Sequence, residues 1–289
     1  MRIEHDKLPT FRETFTAAAA QAARMKAGRG KATSLPRTQA RAETIADAEK
    51  HAEFVHLMGD TVTDHLHPGY VHAVGFPLTM SLLVRKDFPL PLLGMLHITN
   101  HVTQTRGIEL GETMELIASI ENPRPHYAGT LIDSVVRVNV DGEEVMVDTA
   151  GYLVRGSELG GARPDRPERE EFVPGEAQSL WSLAGDTGRK YAKVSGDGNP
   201  IHLTKLSAKP FGFNKPIVHG MYSASRAYSA TRLGNDGPRE WFVEFEAPIA
   251  LPGRVQFGIS RDNGRAEYAG WRAARGDKPA RRHFKGYVE

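Results

Sequence analysis

The chain has 289 residues, 40% of them hydrophobic, a formal net charge of +2 and no cysteine. Such a length suits one large domain or two ordinary ones, and the lack of cysteine excludes disulfides, thiolate metal sites and a cysteine nucleophile. No apolar run reaches membrane-spanning length, no secretory apolar stretch lies near residue 1, and the balanced charge gives no reason to expect nucleic acid, so a cytoplasmic protein is expected.

Residues 1–34 are rich in alanine, lysine and arginine. The segment Phe11–Lys26 predicts a helix stopped by Gly28-Arg29-Gly30. Glu4, Asp6 and Glu13 favour a docked or frayed leader helix over a transit peptide. Leu35–Ile45 holds a first strand. Asp47–Met58 predicts a helix with Asp47 as its N-cap. Beyond Pro68-Gly69, His72–Val84 is apolar and long enough for a buried helix, with Gly75 and Pro77 marking its start. Strands are expected at His97–Thr105, Thr113–Ile120, Thr130–Val140 and Val145–Val154. Asp141-Gly142 supplies a hairpin turn between the last two.

Glycine, proline and dense charge in Ser157–Glu171 read as a linker. The order then restarts. A strand in Ala177–Leu183 is followed by a short helix at Tyr191–Val194 and an apolar helix at Tyr222–Leu233. Further strands are expected at Trp241–Glu246, Arg254–Arg261, Arg265–Ala274 and Arg282–Val288, with Asp262-Asn263-Gly264 as a second hairpin turn. The halves align as degenerate copies. Arg106-Gly107-Ile108-Glu109-Leu110-Gly111 matches Ala247-Pro248-Ile249-Ala250-Leu251-Pro252, and Met114–Ser119 then matches Val255–Ser260 without a gap.

The chemistry concentrates between Tyr191 and Tyr228. Ser195-Gly196 ends the short helix, and Asp197-Gly198-Asn199-Pro200-Ile201-His202 follows as a loop stiffened by Pro200. That loop sets an acid and an imidazole five residues apart, suited to general acid–base work. Gly212–Pro216 forms a turn, and Ile217-Val218-His219-Gly220-Met221 opens the next helix. A helix N-terminus offers unpaired N–H groups and partial positive charge, fit to hold a carbonyl oxygen that turns negative during reaction.

SGDGNPIH, starting at Ser195, followed by GFNKPIVHGM, starting at Gly212, resembles the hydratase-2 signature of the MaoC-like dehydratases. The two-part motif covers about forty residues. The resemblance implies an α+β double hot-dog fold, two units each with a central helix wrapped by an antiparallel sheet. It also implies addition of water to trans-2-enoyl thioesters, or its removal from (3R)-3-hydroxyacyl thioesters, in fatty-acid or related lipid metabolism. An acyl-CoA or acyl-ACP substrate is the expected partner, with acyl carrier protein as its protein form. No cofactor and no metal are expected, and the fused pair replaces a dimer of single units, alone or as a homo-oligomer. The expected division is 1–34 as leader, 35–156 as a degenerate unit for structure and acyl-tail binding, 157–174 as linker and 175–289 as the catalytic unit. A hot-dog thioesterase and a non-catalytic acyl-binding protein are the alternatives.

Asp197 and His202 are the expected catalytic pair. Gly220, Asn199, His219 and Ser225 are the candidates for the oxyanion hole and substrate contacts, Asn199 also as a loop-holding residue and His219 also as a helix cap. In the first half, Asp60 and His65 keep the five-residue spacing but lack the Asn-Pro. Phe76-Pro77-Leu78 is taken there as the counterpart of His219-Gly220-Met221. That pair is expected to be idle, and Phe76, Leu78 and Leu82 to line an acyl-tail pocket. The histidines His51, His56, His65, His67, His72, His97 and His101 show no HExxH spacing and are read as packing or surface residues. Lys205, Lys209 and Lys215 are open between a phosphate-attracting role and a solvated face.

Overall fold

A computed structural model describes residues 1–26, 34–168 and 171–289. Strand β1 (Arg2–His5) and helix α1 (Phe11–Lys26) precede two copies of one plan. The first copy runs through β2 (Gln39–Ile45), α2 (Ala48–Met58), α3 (Pro68–Leu83), β3 (Leu96–Gln104), β4 (Thr113–His126), β5 (Gly129–Val140) and β6 (Glu143–Arg155). The second runs through β7 (Ser179–Leu183), α4 (Thr187–Ser195), α5 (Lys205–Ala208), α6 (Gly220–Thr231), β8 (Arg239–Phe245), β9 (Gly253–Asp262), β10 (Arg265–Arg272) and β11 (Arg281–Val288). The segment joining β6 to β7 has no helix or strand among the described residues.

All strands form one sheet in the order β1-β2-β4-β5-β6-β3-β8-β11-β10-β9-β7. The pattern β2-β4-β5-β6-β3 in the first copy repeats as β7-β9-β10-β11-β8 in the second. The two meet where β3 and β8 pair antiparallel, from Thr99 opposite Glu244 to Gln104 opposite Arg239. Closing that seam removes one exposed edge from each half. Helix α3 packs on β2, β4 and β5, helix α6 packs on β8 and β11, and the two helices touch. The chain is therefore an α+β double hot-dog, as the motif implied.

Local chemistry explains most boundaries. The Asp47 carboxylate accepts the Lys50 N–H at 3.0 Å and starts α2. Asp141-Gly142 and Asn263-Gly264 all take positive φ, the conformation a two-residue hairpin needs. Two expectations needed correction. Helix α3 begins at Pro68, with the His67 ring accepting the Gly69 N–H at 2.9 Å, and Pro77 lies inside it. An internal proline costs roughly 3 kcal/mol, but this helix is apolar around most of its circumference, and its burial outweighs that cost. Gly75 instead permits close approach, since a Cβ there would lie 3.1 Å from the Val136 side chain. The leader also holds a strand as well as a helix, β1 pairing parallel to β2.

Helix α1 is docked: the Gln21 side chain donates to the Leu83 carbonyl at 2.5 Å and accepts from the Leu92 N–H at 3.1 Å. Its expected stop at Gly28-Arg29-Gly30 lies outside the described residues. No helix among the described residues is long and apolar enough to cross a membrane.

Candidate active site

Helix α4 ends at Gly196, whose φ of 76° turns the chain back and delivers Asp197. The loop then holds itself by short-range bonds. The Asp197 N–H donates to Ser195 Oγ at 3.2 Å, and Asp197 Oδ1 accepts the Asn199 N–H at 3.0 Å. Asn199 Oδ1 accepts the Ile201 N–H at 3.3 Å and caps a single 3₁₀ turn, Pro200–His202. The turn lies directly on α4. A Cβ at Gly188 would sit 2.1 Å from the His202 carbonyl oxygen, so the approach requires a glycine.

His202 is buried, and its Nδ1 donates to the Ile217 carbonyl at 2.8 Å. That bond fixes the tautomer and leaves the lone pair on Nε2. His219 stacks beneath it with ring centroids 3.7 Å apart. His219 Nε2 donates to the backbone carbonyl of Asp197 at 3.0 Å, and its Nδ1 is buried without a partner. Burial pushes both histidines below their ordinary pKa, while the nearby Asp197 charge pulls His202 partly back. Burial and its neighbour His202 push His219 well down, so its imidazole is neutral. One ligand atom from each of Asp197, His202 and His219 falls within a 4.8 Å span, a spacing a metal ion could also use. Each ring commits one nitrogen to a backbone carbonyl, a bond that fixes its orientation.

The start of α6 faces this loop. His219 stands at its N-cap position without a side-chain capping bond, so the first-turn N–H groups keep their donor capacity. Gly220 packs against the Phe245 ring, with a Cβ position only 3.1 Å from it. Phe245 meets His97 edge-on at 5.2 Å, across the β3–β8 seam.

The structure brings Asp197, His202, Asn199, His219 and Gly220 together, with Asn199 in the loop-holding place expected as one of its alternatives and His219 in a place that differs from expectation. Asn199 holds the loop. His219 is 2% exposed and neither caps α6 through its side chain nor lines open space; it props the Asp197 backbone. Ser225 does not belong to the group. It is fully buried where α6 crosses α3, so close that a Cβ on Gly69 would fall 2.1 Å from its Oγ. Leu78 and Leu82 are core residues, 0% and 3% exposed, on the helical stripe beside the cavity-lining one. Phe76 of that trio borders a cavity.

Asp60 and His65 are not a copy of Asp197 and His202. His65 bridges to Glu109 as Ile217 bridges to Ala250, so His65 occupies the place of Ile217. His67, not Phe76, is the counterpart of His219 at the helix start. Sequence reasoning missed His97, Tyr152 and the His72–Asp148 pair, which lie beside the site only through the fold. Lys205, Lys209 and Lys215 are exposed on the overhanging segment.

An open helix N-terminus inside a hot-dog sheet, faced by a loop-borne aspartate and a neutral histidine, defines the class of hot-dog dehydratases. A MaoC-like domain matches residues 176–269. Over 219 residues the chain is 31% identical to 3-hydroxyacyl-thioester dehydratase X of Mycobacterium tuberculosis, covering 75% of this chain and 74% of that one. A crystal structure of HtdX from Mycobacterium tuberculosis superposes with a TM-score of 0.74 at 25% identity, covering 86% of this chain and 98% of the other. A MaoC-like dehydratase from Phytophthora capsici shares the fold at a TM-score of 0.68 and 18% identity, over 89% and 96% of the two chains. The chain belongs to the MaoC-like dehydratase family.

Proposed function

We propose that the protein is a hydro-lyase that interconverts (3R)-3-hydroxyacyl thioesters and trans-2-enoyl thioesters in fatty-acid or related lipid metabolism. The observation that carries this is the meeting of the Asp197–His202 pair with the open N-terminus of α6. The thioester carbonyl accepts the Gly220 N–H, which stabilises the enolate oxygen as charge develops. His202 Nε2 lies ready to take the α-proton, because its Nδ1 is held by Ile217. The proton taken from the α-carbon is passed within the His202–Asp197 pair to the 3-hydroxyl, which leaves as water as the C–O bond breaks and the double bond forms. The two groups act as one coupled pair. His219 and Asn199 fix the loop that carries them.

Residues 175–289 are assigned to the catalytic unit, 35–156 to a unit that shapes the acyl end of the site, 157–174 to the link and 1–34 to a docked leader. The acyl carrier is coenzyme A or acyl carrier protein, and the exposed Lys205, Lys209 and Lys215 suit its phosphates. Hydrolysis is disfavoured because α6, from Gly220 to Thr231, carries no carboxylate. Incubation with crotonyl-CoA tests the assignment. Loss of enoyl absorbance without thiol release is expected. Thiol release would mean a thioesterase, and no change at all a binding protein.

A further inference from the structure

The first repeat buries a second polar constellation beside the catalytic loop. The Asp148 carboxylate on β6 takes two donors, His72 Nδ1 at 2.6 Å and Asn100 Nδ2 at 2.8 Å. All three side chains are at least nine-tenths buried. With Nδ1 committed to Asp148, Nε2 is the His72 ring atom left to meet a ligand. His72, Phe76 and Thr79 share one stripe of α3, and they face β5 and β6 across a cavity of about 10 Å³. That is room for about one water or one substituent of that size. Five of the eight lining residues are polar: His72, Thr79, Ser134, Asp148 and Tyr152. Thr79 and Ser134 bond each other at 2.8 Å. A plain core would not keep such a network, since buried polar groups cost stability unless fully paired.

A layer of aromatic rings lies between the niche and the start of α6. His97 stacks on His72 at 5.8 Å and on Tyr152 at 4.8 Å. On its other side it meets Phe245 at 5.2 Å, and Phe245 covers Gly220. His97 Nε2 is itself buried without a partner.

The geometry points to a binding niche for a hydroxyl group on the distal part of the acyl chain. The preferred substrate class is then a short or medium acyl thioester that bears a second hydroxyl, rather than a long saturated chain. His72 Nε2 and the Tyr152 hydroxyl each form a hydrogen bond with the substrate hydroxyl. A methyl group in the same place would leave both unpaired, and sites built to bond a hydroxyl reject analogues that lack it. A long saturated tail finds no volume there. This inference rests on the dehydratase reading above.

The test uses trans-2-hexenoyl-, octenoyl- and decenoyl-CoA, each beside its terminally hydroxylated counterpart, with crotonyl-CoA as the common control. The hydroxylated member of at least one pair is expected to have a kcat/KM at least about tenfold higher. His72→Phe and Thr79→Val are each expected to shrink that ratio several-fold. Because the ratio is taken within one protein, a general loss of activity cancels, and Thr79→Val carries the test if His72→Phe does not fold. Equal or reversed preference at every length, with crotonyl-CoA still hydrated, overturns the niche and leaves the dehydratase reading standing. If crotonyl-CoA is not hydrated, that reading fails, and calorimetry with saturated hexanoyl- and 6-hydroxyhexanoyl-CoA decides the niche alone. Tighter binding of the hydroxylated ligand supports it, and equal affinity overturns it.

Discussion

In the proposed mechanism, His202 owes its fitness as a base to two features of its surroundings. The bond from Nδ1 to the Ile217 carbonyl leaves Nε2 unprotonated, and burial keeps the ring neutral against the pull of Asp197. Removing either member of the pair removes a positioned acid or base. His202→Ala and Asp197→Asn are therefore each expected to lower kcat by about 10²–10⁴, measured by steady-state hydration of crotonyl-CoA beside circular dichroism. Near wild-type turnover in a folded variant would remove that residue from the mechanism. The pair was legible in the sequence because both residues sit on one continuous loop, where spacing alone sets their neighbourhood. His219 and Ser225 were not, because each depends on which way a side chain turns in the packed helix. His219 turns back to the Asp197 carbonyl, and Ser225 turns to Gly69 on the other repeat.

At the scale of elements, the repeats differ by one loop. The Leu66 N–H donates to the Ile108 carbonyl at 2.7 Å, as the Val218 N–H donates to the Ile249 carbonyl at 2.9 Å. These matching bonds set Asp64–His67 on Pro216–His219 and agree with the Ile108/Ile249 alignment read from the sequence. After Gly59 the first repeat reaches its helix within a few residues, whereas the second inserts the turn Pro200–His202, α5 and a further 3₁₀ turn. The first repeat therefore lacks the turn that carries His202 in the second. Asp60→Asn and His65→Ala are expected to leave turnover within about a factor of two, the ordinary range for residues outside a special site. A loss as large as that of His202→Ala would reveal a second working centre. The strands were legible because their turns carry Asp-Gly and Asn-Gly. The start of α3 was misread because Pro77 looked like a first-turn proline, while the real one, Pro68, follows a histidine cap that sequence rules do not anticipate.

Across the whole molecule, histidines replace ordinary core residues where the repeats join. The His51 ring accepts the His67 N–H at 3.0 Å, and the His67 ring accepts the Gly69 N–H at 2.9 Å, so protonating either nitrogen breaks a buried bond. His67 Nε2 in turn donates to Ser229 Oγ on α6 at 3.2 Å, tying the two central helices together. Burial holds His51 down to about 4 and His67 and His97 to about 3, and it depresses His202 and His219 as well. In the unfolded chain the same groups titrate near about 6.5. Below that pH the unfolded state binds more protons than the folded one, so stability falls as pH falls. The stabilisation is complete above the unfolded value and is lost progressively toward the folded ones. Each histidine that stays neutral in the fold contributes up to about 1.4 kcal/mol per pH unit within that window. Most unperturbed carboxylates protonate only below about pH 4.5, so the interval from roughly 6.5 to 5 reports the histidines. Urea unfolding is expected to show a flat midpoint above about pH 7 and a steep decline through that interval, steeper than a single titrating group gives. A midpoint that stays constant down to about pH 5 would mean that these histidines carry no depressed pKa in the folded protein and that the junction is open to water.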